Sequence, residues 1–78
     1  MQTFFVQIKC KLGQTYNVAS ALADREIASE IYSIAGDFDI IAKFHVDRDV
    51  DIGHFVAEQV QPIPGIADTR TLITFKAF

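Results

Sequence analysis

Residues 31–46 read IYSIAGDFDIIAKFHV, and this stretch decides the fold. The segment 29–35 is strand-like, with Ile31, Tyr32 and Ile34, and the run 40–46 alternates apolar and polar residues. Between them stands Gly36-Asp37-Phe38-Asp39, in which glycine tolerates positive φ and aspartate bonds to nearby amides. Two strands around such a turn predict a β-hairpin.

Alternation with a period of two assigns the faces of the predicted strands. In the run 40–46, one face carries Ile40, Ala42, Phe44 and Val46, and the other carries Ile41, Lys43 and His45. The same alternation predicts a first strand over residues 3–12, with Phe4, Val6, Ile8, Cys10 and Leu12 on one face. Gly13 ends that strand. Residues 66–77, IADTRTLITFKA, predict the last strand.

Apolar residues at helical spacing occupy the two remaining segments. Residues 15–24 are rich in alanine and carry a narrow apolar stripe made of Val18, Ala19, Ala21 and Leu22. Thr15 or Asn17 is expected to cap this first helix. The acidic segment 47–51 predicts the start of a second helix, because acidic side chains suit the positive end of a helix dipole. Its apolar residues are Ile52, Phe55, Val56 and Val60, and Pro62 stops it.

The order β-α-β-β-α-β predicts an α+β domain of the ferredoxin-like split βαβ type. In this fold two helices cover one face of a four-stranded antiparallel sheet and leave the other face open. Phe5, Ile41 and either Ile31 or Tyr32 should lie on the open face, and strand four is apolar on both sides. Such a patch is large for a monomer and predicts a dimer that packs sheet to sheet. We expect its interface to contain Phe5, Ile41, Ile73 and Phe75.

Length and charge narrow the class of protein. The 78 residues allow one domain, 1–78, and half of them are hydrophobic. The formal charge is −3 and the seven cations are scattered, whereas a nucleic-acid binder shows a basic patch, so we expect no direct binding of nucleic acid. No apolar run is long enough for a membrane helix, and a single cysteine fits a reducing compartment. The expected location is the cytoplasm.

The residues that could support catalysis or metal binding do not form a recognised motif. His45 and His54 lack metal-ligand spacing, and Cys10 is expected to pack as a small core residue. No nucleophile elbow or phosphate-binding glycine loop is present. The acidic segment 47–51 resembles half of a calcium loop but lacks its glycine and distal glutamate. The sequence therefore predicts no catalytic residue, no metal site and no cofactor.

Three segments together resemble a known family. They are IYSIAGDFDIIAKFHV, FVAEQVQPIPGI and DTRTLITF, and they resemble the effector-sensing (RAM) domain of the Lrp/AsnC transcription regulators. The family's Gly-x-Tyr-Asp turn appears here as Gly36-Asp37-Phe38-Asp39, and its Gly-Val/Ile-x-x-Thr-x-Thr segment spans Gly65 to Thr71. Phe38 replaces the usual tyrosine and removes a hydroxyl. Because residues 1–78 start where the sensing domain starts, the resemblance implies a stand-alone form without the helix-turn-helix.

The resemblance implies a regulatory role without catalysis. It implies homodimers that assemble into higher homo-oligomers, an amino-acid effector held between subunits, and indirect control of transcription through full-length Lrp/AsnC regulators. Carried over by position, the ligand-binding residues are Gly36, Asp37, Phe38 and Asp39 in the turn, with Thr69 and Thr71 in strand four. The chemistry fits a zwitterion, since Asp39 can bind an ammonium while Gly36 amides and threonine hydroxyls can bind a carboxylate.

Two alternatives stay open at this point. One is a dimeric ferredoxin-like enzyme of the oxygenase type, which would need a deep pocket containing His45, Lys43 and Tyr32. The other is a structural subunit that binds no ligand and co-assembles with a larger regulator, and Phe38 in place of tyrosine favours it.

Overall fold

The computed structural model describes all residues, 1–78. Its elements are β1 (Gln2–Cys10), α1 (Thr15–Asp24), β2 (Glu30–Ser33), β3 (Ile40–Val46), α2 (Ile52–Gln59) and β4 (Ile66–Ile73). The strands form one antiparallel sheet in the order β2-β3-β1-β4. The predicted β-α-β-β-α-β order and the ferredoxin-like fold class are confirmed, and α1 and β3 have the bounds that the sequence predicts.

The core lies between the two helices and one face of the sheet. Every second residue of β1 and β3 is buried there, in a cluster of 14 hydrophobic side chains to which both helices contribute. The rings of Phe4 and Phe44 stack with centroids 5.1 Å apart, and Phe55 from α2 meets both rings edge-on. Such pairs stabilise beyond the area they bury, by about 0.5–1.5 kcal/mol each. The alternation in the sequence therefore selects the correct buried face.

The helix termini confirm one capping prediction and overturn the other. The carboxylate of Asp51 accepts the backbone N–H of His54 at 3.0 Å, so the acidic segment does start α2. The prediction that Thr15 or Asn17 caps α1 was wrong, because Thr15 is already the first helical residue and Gln14 precedes it without a side-chain cap. Past the C-terminus of α1, Glu26 takes a left-handed conformation with φ of 55°, where glycine is usual.

The first predicted strand is too long at its end, since β1 stops at Cys10. The backbone N–H of Gln14 donates to the carbonyl of Lys11 at 3.0 Å, which closes a tight turn through Leu12 and Gly13. Gly13 has φ of 76°, and Leu12 points into solvent. Leu12 is therefore not a core residue, because the turn takes it out of the strand.

β2 and β4 are also shorter than predicted, because a strand extends only as far as the strand it pairs with. β2 ends at Ser33 instead of residue 35, since the N–H of Ile34 donates to the carbonyl of Asp39 within the hairpin turn. β4 ends at Ile73, which lies opposite Phe4, and β1 offers only two further residues. After Ile73, the Thr74 hydroxyl donates to the Thr3 carbonyl at 2.6 Å, but the backbone hydrogen-bond ladder between β1 and β4 does not continue.

The face of the sheet opposite the helices, termed the open face, combines apolar and charged residues. Register places Phe5 beside Leu72 and Lys43, and it places Ile41 beside Tyr32. Tyr32, not Ile31, is therefore the β2 residue of the open face. Charged side chains of the same face are Lys9, Glu30, Lys43, Asp68 and Arg70.

The four residues predicted for a dimer interface do not all share the open face. Phe5 and Ile41 lie on it, as expected. Ile73 lies opposite the buried Phe4, so it belongs to the helix side of the sheet, where it is 58% exposed at the edge. Phe75 lies beyond β4 and is fully exposed. Strand alternation alone could not say which side of β4 faces the helices.

A candidate effector site at the glycine turn

The hairpin turn presents a carboxylate that the backbone holds in place. Gly36 has φ of 120°, a conformation that side chains rarely adopt. The N–H of Asp39 donates to the Ile8 carbonyl at 2.9 Å, and its Oδ2 accepts the N–H of Cys10 at 2.8 Å. The Oδ1 of Asp39 remains an acceptor for another group. The sequence indicated the turn but not its attachment to β1.

Phe38 is buried, yet it stands outside the main core cluster. The Arg70 guanidinium lies 4.9 Å from the centroid of its ring, within range of a cation–π interaction. Nearby, the Lys9 ammonium donates to the Asp37 carbonyl at 3.1 Å. Because Lys9 and Arg70 belong to the open face, these contacts show that the turn folds toward that face. Arg70 is a candidate site residue that the motif comparison did not include.

Thr69 and Thr71 lie on the opposite side of the sheet from Arg70. Thr69 is paired with Ile8 and Thr71 with Val6, so both point to the helix side, where both are half-buried. The Thr69 hydroxyl accepts the side-chain amide of Gln61 at 2.9 Å. A shallow hollow of about 200 Å³ borders the start of β4 there. Its lining residues are Gln61, Ile66, Ala67, Asp68 and Thr69.

The two motifs meet at one end of the sheet without forming a closed pocket in one chain. Asp39 and Thr69 flank β1 on opposite sides, since both are positioned by Ile8. Two strand spacings separate them, which is about 10 Å. A small molecule that contacts one motif would therefore have a wide exposed surface unless another molecule covers it.

Cys10 lies beside this site but is poorly suited to be a nucleophile. Burial raises the pKa of the Cys10 thiol, a hydrogen bond from Thr15 opposes that effect, and the Asp39 charge raises the pKa further. The thiol therefore stays protonated near neutral pH, whereas the thiolate is the reactive form. Its predicted role as a small core residue is confirmed by its burial.

The residues that the enzyme alternative requires lie on the open face. Lys43 pairs with Glu30 at 3.3 Å, and Tyr32 hydrogen-bonds the same carboxylate. The Tyr32 hydroxyl and then Lys43 hold the pKa of Glu30 below its usual value. A broad hollow of about 700 Å³ runs past Lys43 and His45. All 15 buried residues of the chain are hydrophobic, so these polar groups do not form the buried cluster that the alternative requires.

The histidine and acidic residues of α2 and its N-terminal cap have ordinary surface roles. His54 pairs with Glu58 on α2, and Asp51 caps that helix. No three residues among the histidines, cysteine and acids come together in a way that could hold a metal ion. Neither helix has the length and apolar character needed to cross a bilayer.

The fold is that of a ferredoxin-like α+β domain. The family described as the Lrp/AsnC ligand binding domain matches residues 3–78. The chain belongs to this family.

Curated relatives are named as transcription regulators. The HTH-type transcriptional regulator FL11 of Pyrococcus abyssi is 33% identical over 72 residues, which cover 92% of this chain and 47% of that protein. FL11 of Pyrococcus horikoshii is 32% identical over the same length. The chain thus spans about half the length of the curated relatives it matches.

Solved structures support the same assignment. TTHA0845 from Thermus thermophilus superposes with a TM-score of 0.89 at 26% identity, over 100% of this chain and 98% of that one. FFRP-DM1 superposes with a TM-score of 0.87 at 28% identity, over 96% of this chain and 100% of that one. The AsnC structure from E. coli gives 0.76 at 25% identity, where this chain covers 52% of the longer protein. The domain therefore occurs both as a nearly complete chain and as part of a larger regulator.

Proposed function

We propose that residues 1–78 form one self-assembling regulatory domain that binds an amino acid between subunits. On this proposal it acts on transcription indirectly, through full-length Lrp/AsnC-type regulators in the cytoplasm. The observation that carries the proposal is the carboxylate of Asp39 beside an open turn at one end of the sheet. This carboxylate accepts the Cys10 N–H, and the backbone N–H of Asp39 donates to the Ile8 carbonyl.

The chemistry of the turn suits the ammonium of an amino acid. One Asp39 oxygen is occupied by the Cys10 amide, and the second can accept a charge-assisted bond from an ammonium. The glycine at position 36 leaves its backbone accessible, and the hydroxyls of Thr69 and Thr71 can donate to a carboxylate. One structure of the same fold, at 15% identity, is a transcriptional regulator of Neisseria meningitidis in complex with L-Met. That likeness supports the capacity of the fold alone.

The separation of the motifs favours a site shared between subunits. Because β1 keeps the turn and the β4 threonines about 10 Å apart on opposite sides of the sheet, one amino acid cannot contact both within a chain. A second subunit placed at this end would bring the missing motif. Binding would then favour the assembled state, because a ligand stabilises the form that holds it.

Calorimetry with the twenty amino acids, paired with sedimentation velocity, tests the proposal. We expect heat with one or a few amino acids and a shift of the oligomer distribution on saturation. Asp39→Asn keeps an acceptor for the Cys10 amide and removes the charge, so it should weaken binding at least tenfold. The matched control Asp49→Asn removes a charge from an exposed loop and should bind normally. No heat and no size change with any amino acid would contradict the proposal.

The alternative of a ligand-free structural subunit predicts a different result. The burial of Phe38 under Arg70 favours this alternative, because the Phe38 ring is already packed against the Arg70 guanidinium without a ligand. Capture of a purified full-length regulator of this family distinguishes the two readings. Capture that depends on the amino acid supports sensing, and equal capture with and without it supports the structural role.

A further inference from the structure

Gln61 is a polar residue beside the candidate effector site, and the family motifs do not contain it. It lies in the turn that follows α2, where its backbone N–H donates to the Val56 carbonyl at 2.9 Å. Val60 and Ile63 on either side of it are buried, and Pro62 restricts the backbone directly after it. The turn therefore holds the backbone of Gln61 in a defined position, although its side chain is exposed.

The side-chain amide of Gln61 contacts Thr69 at the hollow of about 200 Å³ that both residues line. Its Nε2 donates to the hydroxyl oxygen of Thr69 at 2.9 Å. An amide nitrogen carries two hydrogens and a hydroxyl oxygen carries one. This bond therefore leaves one N–H of Gln61 and the O–H of Thr69 able to donate to a ligand.

We propose that Gln61 and Thr69 together bind the α-carboxylate of the amino-acid effector. This inference rests on the proposed function and adds a binding residue to it. The two donor atoms lie 2.9 Å apart, so each can donate to a different oxygen of the same carboxylate. Hydrogen bonds to a charged acceptor are roughly twice as strong as neutral ones, which favours a carboxylate over a neutral group at this position.

The contact with Gln61 also decides which end of the amino acid Thr69 binds. A threonine hydroxyl by itself can donate to a carboxylate or accept from an ammonium. Because the Thr69 oxygen already accepts from Gln61, its hydrogen is directed away from Gln61 and is available to a carboxylate. No lysine or arginine lines the hollow, so these neutral donors are the ones that a carboxylate would meet there. The ammonium is then left to Asp39 of a second subunit.

Asp68 limits the class of amino acid that suits this subsite. It lines the same hollow, and its Oδ1 accepts the backbone N–H of Thr69 at 2.8 Å. An amino acid with a neutral side chain has no net charge, whereas aspartate and glutamate carry an additional negative charge that Asp68 would repel. Ile66 and Ala67 supply the apolar part of the lining. The subsite therefore favours amino acids with neutral side chains.

A double cycle between Gln61 and the ligand carboxylate tests the inference. Calorimetry compares each amino acid that binds with its carboxamide, in wild type and in Gln61→Leu. Gln61→Leu should weaken binding of the amino acid about tenfold, because it removes a bond to a charged group. It should change binding of the carboxamide little, because that ligand has no carboxylate. Gln59→Leu makes the same change at the end of α2 and should bind both ligands as wild type does.

The outcomes of the cycle separate binding from a structural role. Equal weakening of both ligands by Gln61→Leu, or wild-type affinity of that variant for the amino acid, would overturn the inference. Glutamine should bind more tightly than glutamate, and the reverse order would contradict the role of Asp68.

Nuclear magnetic resonance of the side-chain amides gives a second readout in isotopically labelled protein. The amide resonances of Gln61 should shift when a binding amino acid is added, whereas those of Gln59 should not. An amino acid that binds without moving the Gln61 resonances contradicts this inference and leaves the proposed function intact. Absence of binding by all twenty amino acids contradicts both.

Discussion

Gly65 occupies a position where backbone passes close to helix α1. Its φ is +96°, and a Cβ at this residue would lie 3.0 Å from Gln14 Cβ and from Val18 Cγ2. Its carbonyl also accepts the N–H of Lys11 at 2.7 Å. One residue thus joins the end of β1, the start of α1 and the start of β4. The sequence indicated a turn at Pro64-Gly65, but the crowding arises from α1, which is remote in sequence.

Gly65→Ala is expected to lower the free energy of unfolding by about 2–4 kcal/mol, because a strained backbone and an overpacked contact add together. Gly36→Ala is the matched control. Gly36 also has positive φ, of 120°, but a Cβ there would meet no atom within 4 Å. It should cost about 1–2 kcal/mol from strain alone. Urea unfolding of both variants measures the difference, and equal losses would show that the contact with α1 is unimportant.

The elements show which features of a fold are encoded locally. The bounds of α1 and β3 follow from periodicity, because each element has one buried face that repeats along it. The ends of β1, β2 and β4 do not follow from periodicity. A strand ends where the strand it pairs with ends, as at Thr74, or where the chain enters a turn, as at Leu12. The candidate site likewise has one part that the sequence predicts and one part that it does not. The turn at Gly36 is visible in the sequence, whereas the bonds from Asp39 to β1 require the register of the sheet.

The edge strand β2 is expected to respond to pH through Glu30. Its pKa is lowered by the Tyr32 hydroxyl and then by Lys43, so Glu30 contributes stability above about pH 4.5 that is lost as the pH falls through its lowered pKa. Glu30 in turn raises the pKa of the Tyr32 hydroxyl above its usual value of 10. The stability that the Tyr32–Glu30 hydrogen bond contributes is therefore present below pH 10 and is lost as the pH rises through the raised pKa of Tyr32. The groups are exposed, and the effect should be small.

Urea unfolding of wild type and Glu30→Gln between pH 3 and pH 7 checks this prediction. The two proteins should differ most at pH 7 and converge as the pH falls below 4. Asp49→Asn is the control for removal of an exposed carboxylate elsewhere on the surface. A constant difference between wild type and Glu30→Gln over the whole range would contradict the role of Glu30.

At the scale of the whole molecule, the open face is the surface through which the proposed self-association would occur. Phe5, Ile41, Leu72 and Tyr32 form its apolar part, and the Lys43–Glu30 ion pair and single charges surround them. The sequence predicted an apolar face in general, but the position of Ile73 on the helix side depended on the β1–β4 register. Which copies meet, and through which surface, depends on residues from two chains and could not be derived from one.

Ile41→Asp is expected to weaken self-association at least 100-fold. Ile41 would be buried twice in a two-fold interface, and each buried side chain contributes about 1.5 kcal/mol or more. Leu12→Asp makes the same change at a fully exposed turn residue and should leave assembly intact. Light scattering over a concentration series measures both variants. Loss of assembly in Leu12→Asp, or its persistence in Ile41→Asp, would place the interface elsewhere.

The central position of β1 has a consequence for how the chain folds during synthesis. β1 leaves the ribosome first among the strands, and its partner β4 leaves last. The pairing of Phe4 with Ile73 therefore forms late. Until then the edge of β1 that pairs with β4 has no hydrogen-bonding partner, and forming a contact between residues so far apart in sequence is slow. Completion of this sheet therefore requires that β4 has been synthesised, and chaperones that shield unpaired strands would act in the interval before it.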